Sequence, residues 1–342
     1  MRKVHTLVVG GGPGGLSAAT ALAQAGREVL LIEKNPAIGP KLCAGYLPFD
    51  ADARRMEIPA PVIEKIHRER IFHFGERRLQ INDEPRITFS RIELGQAMLH
   101  QAKGAGVVVE TGRRLRGWRG REARVDDEAI EFSYLIGADG SNSTVRRGLD
   151  LPVRSFCVAF QVALPEARPA VECFFDYPRY ACWPAWLIPH RDHVVVGLGG
   201  DPRYLPLTKM KSELRELIRR LGHSPEKYPL SGSRLATDYP GHVFGNIFLV
   251  GDAAGLVEDW SGYGIYAAWA SGREAAQAIL GLTTRFPLIA SVLAAKRRQR
   301  RLIQAMTRSP AVGRAVLGLM PAALRVLPWA RRWLRSSPYS EA

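Results

Sequence analysis

The stretch VVGGGPGGLSAATALAQAGREVLLIEK, from Val8 to Lys34, contains an apolar strand, a glycine turn, a small-residue helix and a second apolar strand. Its glycines follow the G-x-G-x-x-G spacing. The first permits a tight turn, the second lets the backbone approach a pyrophosphate, and the third lets helix and strand pack closely. The helix is predicted over 17–24, with Gly26 as its end, and its free N–H groups suit phosphates. The stretch therefore predicts a dinucleotide-binding unit.

Glu33 ends the second strand about twenty residues beyond the turn, where a carboxylate accepts hydrogen bonds from a ribose. The alternative is a secretory signal, because Met1, Arg2 and Lys3 precede an apolar stretch. Three helix-breaking glycines within that stretch argue against a signal. The cofactor-binding residues predicted in this unit are Gly10, Gly12, Gly14, Gly15, Glu33 and Lys34.

The bulk composition is that of a globular protein. With 342 residues, 46% of them hydrophobic, the chain can bury the core of one large or two medium domains. No apolar run reaches the roughly eighteen residues of a membrane span. The four cysteines are widely spaced and include no C-x-x-C pair, which predicts free thiols in a reducing compartment and no metal site. We therefore expect a cytoplasmic protein.

Positive charge is concentrated at the C-terminal end. The net charge is +15. From Arg285 onward the sequence contains twelve lysines and arginines but a single acidic residue, Glu341. Basic amphipathic segments with tryptophan suit an anionic bilayer, so we expect peripheral contact with the inner face of a membrane. The alternative is a helical subdomain whose arginines are merely solvated. Nucleic acid is disfavoured, because no recognised binding motif accompanies the charge. The apolar residues between these bases include Leu317, Leu319, Met320, Leu324, Trp329, Trp333 and Leu334.

Two more motifs follow predicted strands later in the chain. The strand over 134–138 leads into Asp139 and the segment SNSTVR. The strand over 247–250 leads into GDAAG, then GYGI and a small-residue helix over 266–278. The order G-x-G-x-x-G, GADGSNSTVRR and GDAAG resembles the flavoprotein class typified by p-hydroxybenzoate hydroxylase. That resemblance implies FAD as the cofactor, with Asp252 contacting its ribityl chain.

Three matches narrow the resemblance to the geranylgeranyl reductase branch. GPKLCAGYLP, over 39–48, resembles its G-x-K-x-C-G-G segment, and DAAGLVEDWSGYGIYAAWASGREAA, over 252–276, resembles its D-A-A-G…G-E-G-I…S-G-x-x-A-A pattern. AWLIP, over 185–189, resembles the Y-x-W-x-F-P segment that lines the isoprenoid pocket. The chain departs from these patterns near the expected flavin and substrate. The departures are Ala44 for glycine, Pro184 for tyrosine, Asp259 for proline and Tyr263 for glutamate.

The turn over 262–265 precedes a helix. Its backbone N–H groups and the helix dipole are expected to face the flavin pyrimidine edge, where negative charge accumulates on reduction. A plain helix-start turn is the alternative. Arg91 begins a helix that continues to Ala102, and the resemblance gives it contact with FAD phosphate or ribityl oxygens rather than with solvent. These later segments add the predicted cofactor residues Ala44, Gly45, Arg91, Asp139, Gly251, Asp252, Gly264 and Ile265.

Three side chains are candidates for chemistry or substrate contact. The resemblance places Cys43 beside the flavin, where it donates a proton or packs as a small hydrophobe. Trp186 is a substrate wall if the resemblance holds and ordinary sheet core otherwise, and Tyr263 is a second candidate for substrate contact. Asp139 is expected to shape a tight turn rather than to perform chemistry.

The predicted fold class is α/β: a Rossmann-like FAD-binding domain with an inserted antiparallel β-sheet substrate domain and C-terminal helices. Apolar or alternating strands over 153–200 and an amphipathic helix over 207–221 indicate the inserted sheet. The expected bounds are 1–150 and 235–282 for the discontinuous FAD-binding domain, 151–234 for the substrate domain and 283–342 for a basic helical region. The aromatics that imply an apolar cavity are Phe174, Phe175, Tyr177, Tyr180, Trp183 and Trp186.

Three functions fit these features. The first is an FAD-dependent reductase that saturates double bonds of a prenyl chain or another apolar substrate. The second is a flavin monooxygenase of an apolar or aromatic substrate; halogenation is disfavoured, because Trp183 is out of register for W-x-W-x-I-P. The third is a membrane-associated flavin electron carrier. The expected partners are an apolar small molecule, NAD(P)H or another electron donor, and an anionic membrane surface.

Overall fold

Two eight-stranded sheets organise the chain. The computed structural model describes residues 1–48 and 52–327. In chain order the strands are β1 (Arg2–Val9), β2 (Val29–Glu33), β3 (Tyr46–Pro48), β4 (Ile63–Phe74), β5 (Arg77–Phe89), β6 (Val108–Thr111), β7 (Leu115–Arg119), β8 (Glu122–Val125), β9 (Glu128–Gly137), β10 (Phe156–Leu164), β11 (Val171–Phe175), β12 (Ala185–Pro189), β13 (Val194–Gly200), β14 (Ser231–Ala236), β15 (Val243–Phe244) and β16 (Ile247–Leu249). The helices are α1 (Pro13–Gln24), α2 (Arg91–Gly104), α3 (Thr144–Gly148), α4 (Tyr177–Tyr180), α5 (Leu207–Arg220), α6 (Ile265–Ile279), α7 (Pro287–Arg308) and α8 (Pro310–Val326).

The first sheet has a parallel centre in the order β16-β9-β1-β2-β6. Leu7 and Val8 in β1 are fully buried, as in a strand that is covered on both faces. Helix α1 begins at Pro13, four residues before the predicted start, because proline is favoured in the first turn, where its missing N–H costs no hydrogen bond. The parallel centre and the helices that cover it confirm the predicted α/β class.

The second sheet has the order β14-β10-β13-β12-β11-β4-β5-β3. Its pairings are antiparallel except for β11 with β4. Residues 46–48 and 63–89 supply three of its strands, although the sequence-based division assigned all of 1–150 to the FAD-binding domain. Charged residues break the apolar alternation of IEKIHRERIFHF in β4, so its pattern does not resemble a covered strand. The second sheet is therefore larger than the predicted insertion.

The two faces of the second sheet have different neighbours. On one face, Leu187 and Leu198 pack against Leu214 and Ile218 of α5. On the other, Phe72 of β4 belongs to an apolar cluster with residues of α7 and α8. The described part of the basic C-terminal region is thus helical and packed on the sheet. The residues of that region named above that lie outside the described residues are Trp329, Trp333, Leu334 and Glu341; the arginines Arg331, Arg332 and Arg335 lie outside them as well.

Helices α1 and α6 approach each other closely through glycine. A Cβ at Gly272 in α6 would lie 2.2 Å from the carbonyl oxygen of Gly14 in α1. One turn away, the Ser17 hydroxyl donates to the Trp269 carbonyl oxygen at 2.8 Å. This contact joins two motifs that lie far apart in the sequence. Among the described residues, no helix is both long and apolar enough to cross a bilayer.

We expect Gly272→Ala to lower the free energy of unfolding by about 1–3 kcal/mol, because the added methyl forces two helix backbones apart. The matched control is Gly318→Ala in α8, where an added Cβ meets nothing within 4 Å. That control should be neutral or stabilise by up to about 1 kcal/mol, from helix propensity alone. Urea unfolding measures both variants. Equal stability of the two would contradict the close contact.

Candidate functional site

A cavity of about 1430 Å³ is lined by the carboxyl ends of the first sheet and by one face of the second. The position fits the rule that ligands of open α/β sheets bind beyond the carboxyl ends of the strands. Pockets for drug-sized ligands have about 300–1,000 Å³, so this one has room for a larger molecule.

The glycine turn after β1 forms one end of the cavity. Gly10 has a φ of +111°, and a Cβ there would lie 2.3 Å from the Ala138 carbonyl oxygen. Gly12 caps α1 with no side-chain hydrogen bond, which leaves the first N–H groups of the helix available to a ligand. Gly14 also lines the cavity. Gly15, predicted with the cofactor residues, lies behind the wall, where a Cβ would be 2.0 Å from the Gly10 oxygen.

Glu33 stands at the end of β2 and borders the cavity together with Lys34. Its Oε2 accepts the Gly11 N–H at 2.8 Å, and its Oε1 accepts the Asn35 N–H at 2.9 Å. A carboxylate has about four lone-pair positions, so two remain for a ligand hydroxyl. The carboxylate thus braces the glycine turn and can still accept from a ribose.

Asp252 forms an ion pair that the sequence alone did not predict. Its Oδ2 lies 2.8 Å from Lys41 Nζ and 3.4 Å from Ser141 Oγ. Lys41 belongs to the segment GPKLC, 211 residues away, so no local pattern marks it as a partner. Gly251 and Asp252 line the cavity beside Gly264 and Ile265, whose turn leads into α6.

Asp139 and Arg91 line the cavity in different ways. The Asp139 carboxylate accepts N–H groups of Thr144 at 2.6 Å and Val145 at 3.3 Å, so it braces the start of α3. Burial raises the pKa of this carboxyl, and the hydrogen bonds that it accepts oppose that rise.

Arg91 begins α2, and its buried Nη1 has no hydrogen-bond partner. A guanidinium nitrogen in that state suits an anionic ligand group.

The second sheet lines the cavity with alternate residues of its strands, as the two-residue period of a strand requires. Phe72, Cys173 and Trp186 lie in one row across β4, β11 and β12, because Cys173 pairs with the other two. The Trp186 indole occupies the space above Gly197, where a Cβ would lie 2.4 Å from the ring. Arg70 and Arg86 are also buried in this wall.

Four of the six aromatics expected in the cavity lie elsewhere. Phe175 and Trp186 line it, but Phe174 faces the other side of β11 and stacks on His73 at 4.3 Å. Trp183 Nε1 donates to the Asp259 carbonyl oxygen at 2.9 Å, and the Tyr177 hydroxyl donates to the Met306 carbonyl oxygen at 2.8 Å. The fourth, Tyr180, belongs to the core beside α5.

Cys43, Ala44 and Gly45 form a loop on the cavity wall. Cys43 is partly exposed, and its Sγ accepts the Gly45 N–H at 3.4 Å. Tyr263 also lines the cavity, and its hydroxyl donates to the fully buried carboxylate of Asp52.

The loop over 257–263 is held by α7. The Asp259 carboxylate lies 3.0 Å from Lys296 Nζ and 2.9 Å from Arg300 Nη2, and Lys296 also donates to the Val257 carbonyl oxygen. Burial lowers the pKa of Lys296, while the Asp259 carboxylate opposes that shift. Two of the bases counted toward a membrane surface are therefore engaged inside the protein.

Comparison with known proteins gives matches along almost the whole chain. The FAD dependent oxidoreductase family matches residues 6–127. Geranylgeranyl diphosphate reductase of Oryza sativa is 28% identical over 320 residues, which is 82% of this chain and 67% of that protein. Digeranylgeranylglycerophospholipid reductase of Methanospirillum hungatei is 28% identical over 80% of this chain and 75% of its own length.

Two solved structures have the same fold. A geranylgeranyl bacteriochlorophyll reductase-like protein of Thermoplasma acidophilum superposes with a TM-score of 0.75 at 20% identity, over 98% of this chain and 99% of that one. The p-nitrophenol 4-monooxygenase of Pseudomonas putida has a TM-score of 0.75 at 17% identity, over 98% and 97%. At such identities the likeness concerns the fold alone, and the fold hosts both reduction and oxygenation.

Proposed function

Because the chain belongs to the geranylgeranyl reductase-like family of FAD-dependent oxidoreductases, we propose that it reduces double bonds of an isoprenoid or another apolar chain. The observation that carries this proposal is the row of Phe72, Cys173 and Trp186, which gives the cavity an apolar stretch in its second-sheet wall. An apolar wall of this kind binds a hydrocarbon chain by removing its surface from water. The names of the relatives from Oryza and Methanospirillum support the same substrate class.

The residues of the first sheet suit FAD. The free N–H groups at the start of α1 would hold the pyrophosphate, and Glu33 would accept from the adenosine ribose. Arg91 would meet a phosphate or ribityl oxygen with its unpaired Nη1, and Asp252 would meet the ribityl chain. The turn at Gly264 would direct backbone N–H groups to the cofactor. FAD, when reduced, supplies the hydride for this reaction.

Cys43 is our candidate for the proton donor at the reacting carbon. Its thiol is partly exposed to the cavity, and its sulfur accepts rather than donates in its hydrogen bond with Gly45. The Tyr263 hydroxyl, in contrast, already donates its hydrogen bond to the Asp52 carboxylate. We therefore assign Tyr263 to the cavity wall and leave proton donation to Cys43.

We also propose that α8 contacts an anionic membrane surface. Val312, Leu319 and Val326 are exposed by 44%, 70% and 75%, and their spacing of seven residues places them on one stripe. Exposed Ala315 and Ala322 continue that stripe. No acidic residue lies between Arg285 and Glu341, so the bases around the stripe favour anionic lipid. The opposite side of α8 packs on the second sheet through Leu317 and Leu324.

We expect Glu33→Ala to weaken FAD binding about 10- to 100-fold, because a hydrogen bond to a charged group contributes about 1.5–3 kcal/mol. The matched control is Glu84→Ala, which removes a carboxylate from the second-sheet side of the same cavity. Flavin fluorescence titration of the apoprotein measures both affinities. An unchanged affinity for Glu33→Ala would show that the ribose binds elsewhere.

Under argon, geranylgeranyl diphosphate should reoxidise the photoreduced enzyme, and the product should gain two hydrogens per turnover. Reoxidation that strictly requires oxygen, with an oxygenated product, would assign the chain to the monooxygenases instead.

Cys43→Ser tests the proton donor, because a serine hydroxyl is a much weaker acid than a thiol. A fall in kcat of at least about 100-fold with FAD retained is expected for a general acid. A small fall would show that Cys43 only packs.

The protein should sediment with anionic liposomes at low salt and be released by high salt, since each base near such a surface contributes about 1 kcal/mol. Leu319→Glu should abolish sedimentation by placing a charge in the exposed stripe of α8. Val243→Glu makes the same change in charge at an exposed valine in β15, and should bind as the unmodified chain does. If Leu319→Glu still binds, the stripe is not the contact.

A further inference from the structure

The loop over 43–45 is fixed to the second sheet by three consecutive carbonyl groups. Each carbonyl oxygen accepts one hydrogen bond from that sheet or its connections, and of the three donors only Gln161 lines the cavity. The bonds are Gln161 Nε2 to Cys43 at 3.0 Å, His190 Nε2 to Ala44 at 3.0 Å and Phe89 N–H to Gly45 at 2.9 Å.

His190 is the ionisable group among these donors. It is only 5% exposed, and its second ring nitrogen, Nδ1, lies 2.7 Å from Glu64 Oε2. A carbonyl oxygen can only accept, and an ionised carboxylate can only accept. The ring satisfies both neighbours only when both of its nitrogens carry hydrogen, as they do in the imidazolium. A neutral ring facing an ionised Glu64 must give up one of the two bonds.

Glu64 provides the negative charge that contacts the His190 ring, and the other charged groups nearby have partners of their own. His193 stacks on the His190 ring at 4.6 Å and bonds to Asp192. His67 in β4 is neutral near pH 7, because burial lowers its pKa to about 4. The Lys65 ammonium is directed to the Arg168 carbonyl oxygen at 2.6 Å.

Packing fixes the loop in the same place. Gly45 has a φ of +60°, and a Cβ there would lie 2.1 Å from the Phe89 oxygen and 3.1 Å from His190 Cε1. The imidazole ring and the Phe89 carbonyl therefore leave no space for a side chain at position 45.

We infer that His190, whose two ring nitrogens face the Glu64 carboxylate and the Ala44 carbonyl, is a positioning residue that fixes the loop over 43–45 against the cofactor cavity. A ring with a single N–H donates it to the carboxylate, the stronger acceptor, and releases the Ala44 carbonyl. Loop order therefore depends on hydrogen at both ring nitrogens of His190. The effect on FAD and on Cys43 rests on the proposed function, whereas the bond to Ala44 does not.

The first test follows the apoprotein, so it is independent of FAD. Nitrogen-15 NMR of labelled histidine, with the His190 signals assigned by their loss in His190→Phe, should show two protonated ring nitrogens at pH 6. Hydrogen exchange of the amides over 43–46 should accelerate as those signals titrate. A neutral ring at pH 6, or exchange that is unaffected by its titration, overturns the inference even if FAD binds.

The second test compares three variants by FAD affinity between pH 6 and pH 9, with turnover as a further readout. His190→Phe should lose at least about tenfold in affinity at pH 6, where the charged hydrogen bond is present in the unmodified chain. In Glu64→Gln the FAD affinity at pH 6 should be unchanged, and it should no longer fall at high pH. The reason is that the amide can donate to Nδ1 and leave Nε2–H for Ala44. The control is His193→Phe. His193 contacts the same ring without touching the loop, so this variant should behave as the unmodified chain does.

The two tests separate the proposals. If the unmodified chain does not bind FAD, the proposed function fails, while NMR and amide exchange still decide the role of His190. If FAD binds and a folded His190→Phe keeps both the affinity and the pH profile, His190 does not position the loop. A pH profile in Glu64→Gln identical to that of the unmodified chain also overturns the coupling.

Discussion

Close packing of helix α1 on helix α6 is the contact on which the cavity depends. Gly272 lies so near the Gly14 carbonyl that no side chain fits between the two helices. Ser271 Oγ meanwhile accepts the Gly251 N–H at 3.0 Å, which ties α6 to the motif that precedes it. The glycine turn after β1 and the GDAAG motif after β16 therefore open onto one space. Two segments far apart in sequence form one wall of the cavity, because small residues let their helices meet.

The opposite wall depends on strand periodicity. Every second residue of β11 faces the cavity, so Val171, Cys173 and Phe175 line it while Phe174 does not. The same rule places Trp186 in the wall, and Gly197 on the neighbouring strand provides the space for its indole. Apolar composition alone does not determine the cavity surface. The register of neighbouring strands decides which apolar side chains reach the cavity.

The sequence predicts those features whose signals are local. The first strand, the glycine turn, α1 and Glu33 follow from one continuous pattern, and the structure has all four. By contrast, β4 escapes prediction because its charged residues interrupt the apolar alternation that would mark a covered face. Trp183 and Trp186 look equivalent in the sequence, yet a turn and a strand register direct one to Asp259 and the other to the cavity.

Long-range pairs form the part of the site that no local pattern reveals. Lys41 meets Asp252 across 211 residues, and His190 reaches Ala44 across 146. Such pairs arise only when both sheets are assembled, because each partner is supplied by a different segment of the fold. A motif can therefore indicate which residues border the cavity without indicating what holds them there.

Asp259 shows how a departure from a family pattern is accommodated. Where the resembled branch has proline, this chain has a carboxylate that is nearly buried, and such a charge is costly unless it is paired. Lys296 and Arg300 pair with it from α7, so part of the C-terminal basicity compensates for a residue beside the cavity. Removing the carboxylate alone would leave Lys296 buried without its counter-charge. The net charge of the C-terminal region therefore overstates its exposed positive charge, and α7 is joined to the cavity wall rather than appended to it.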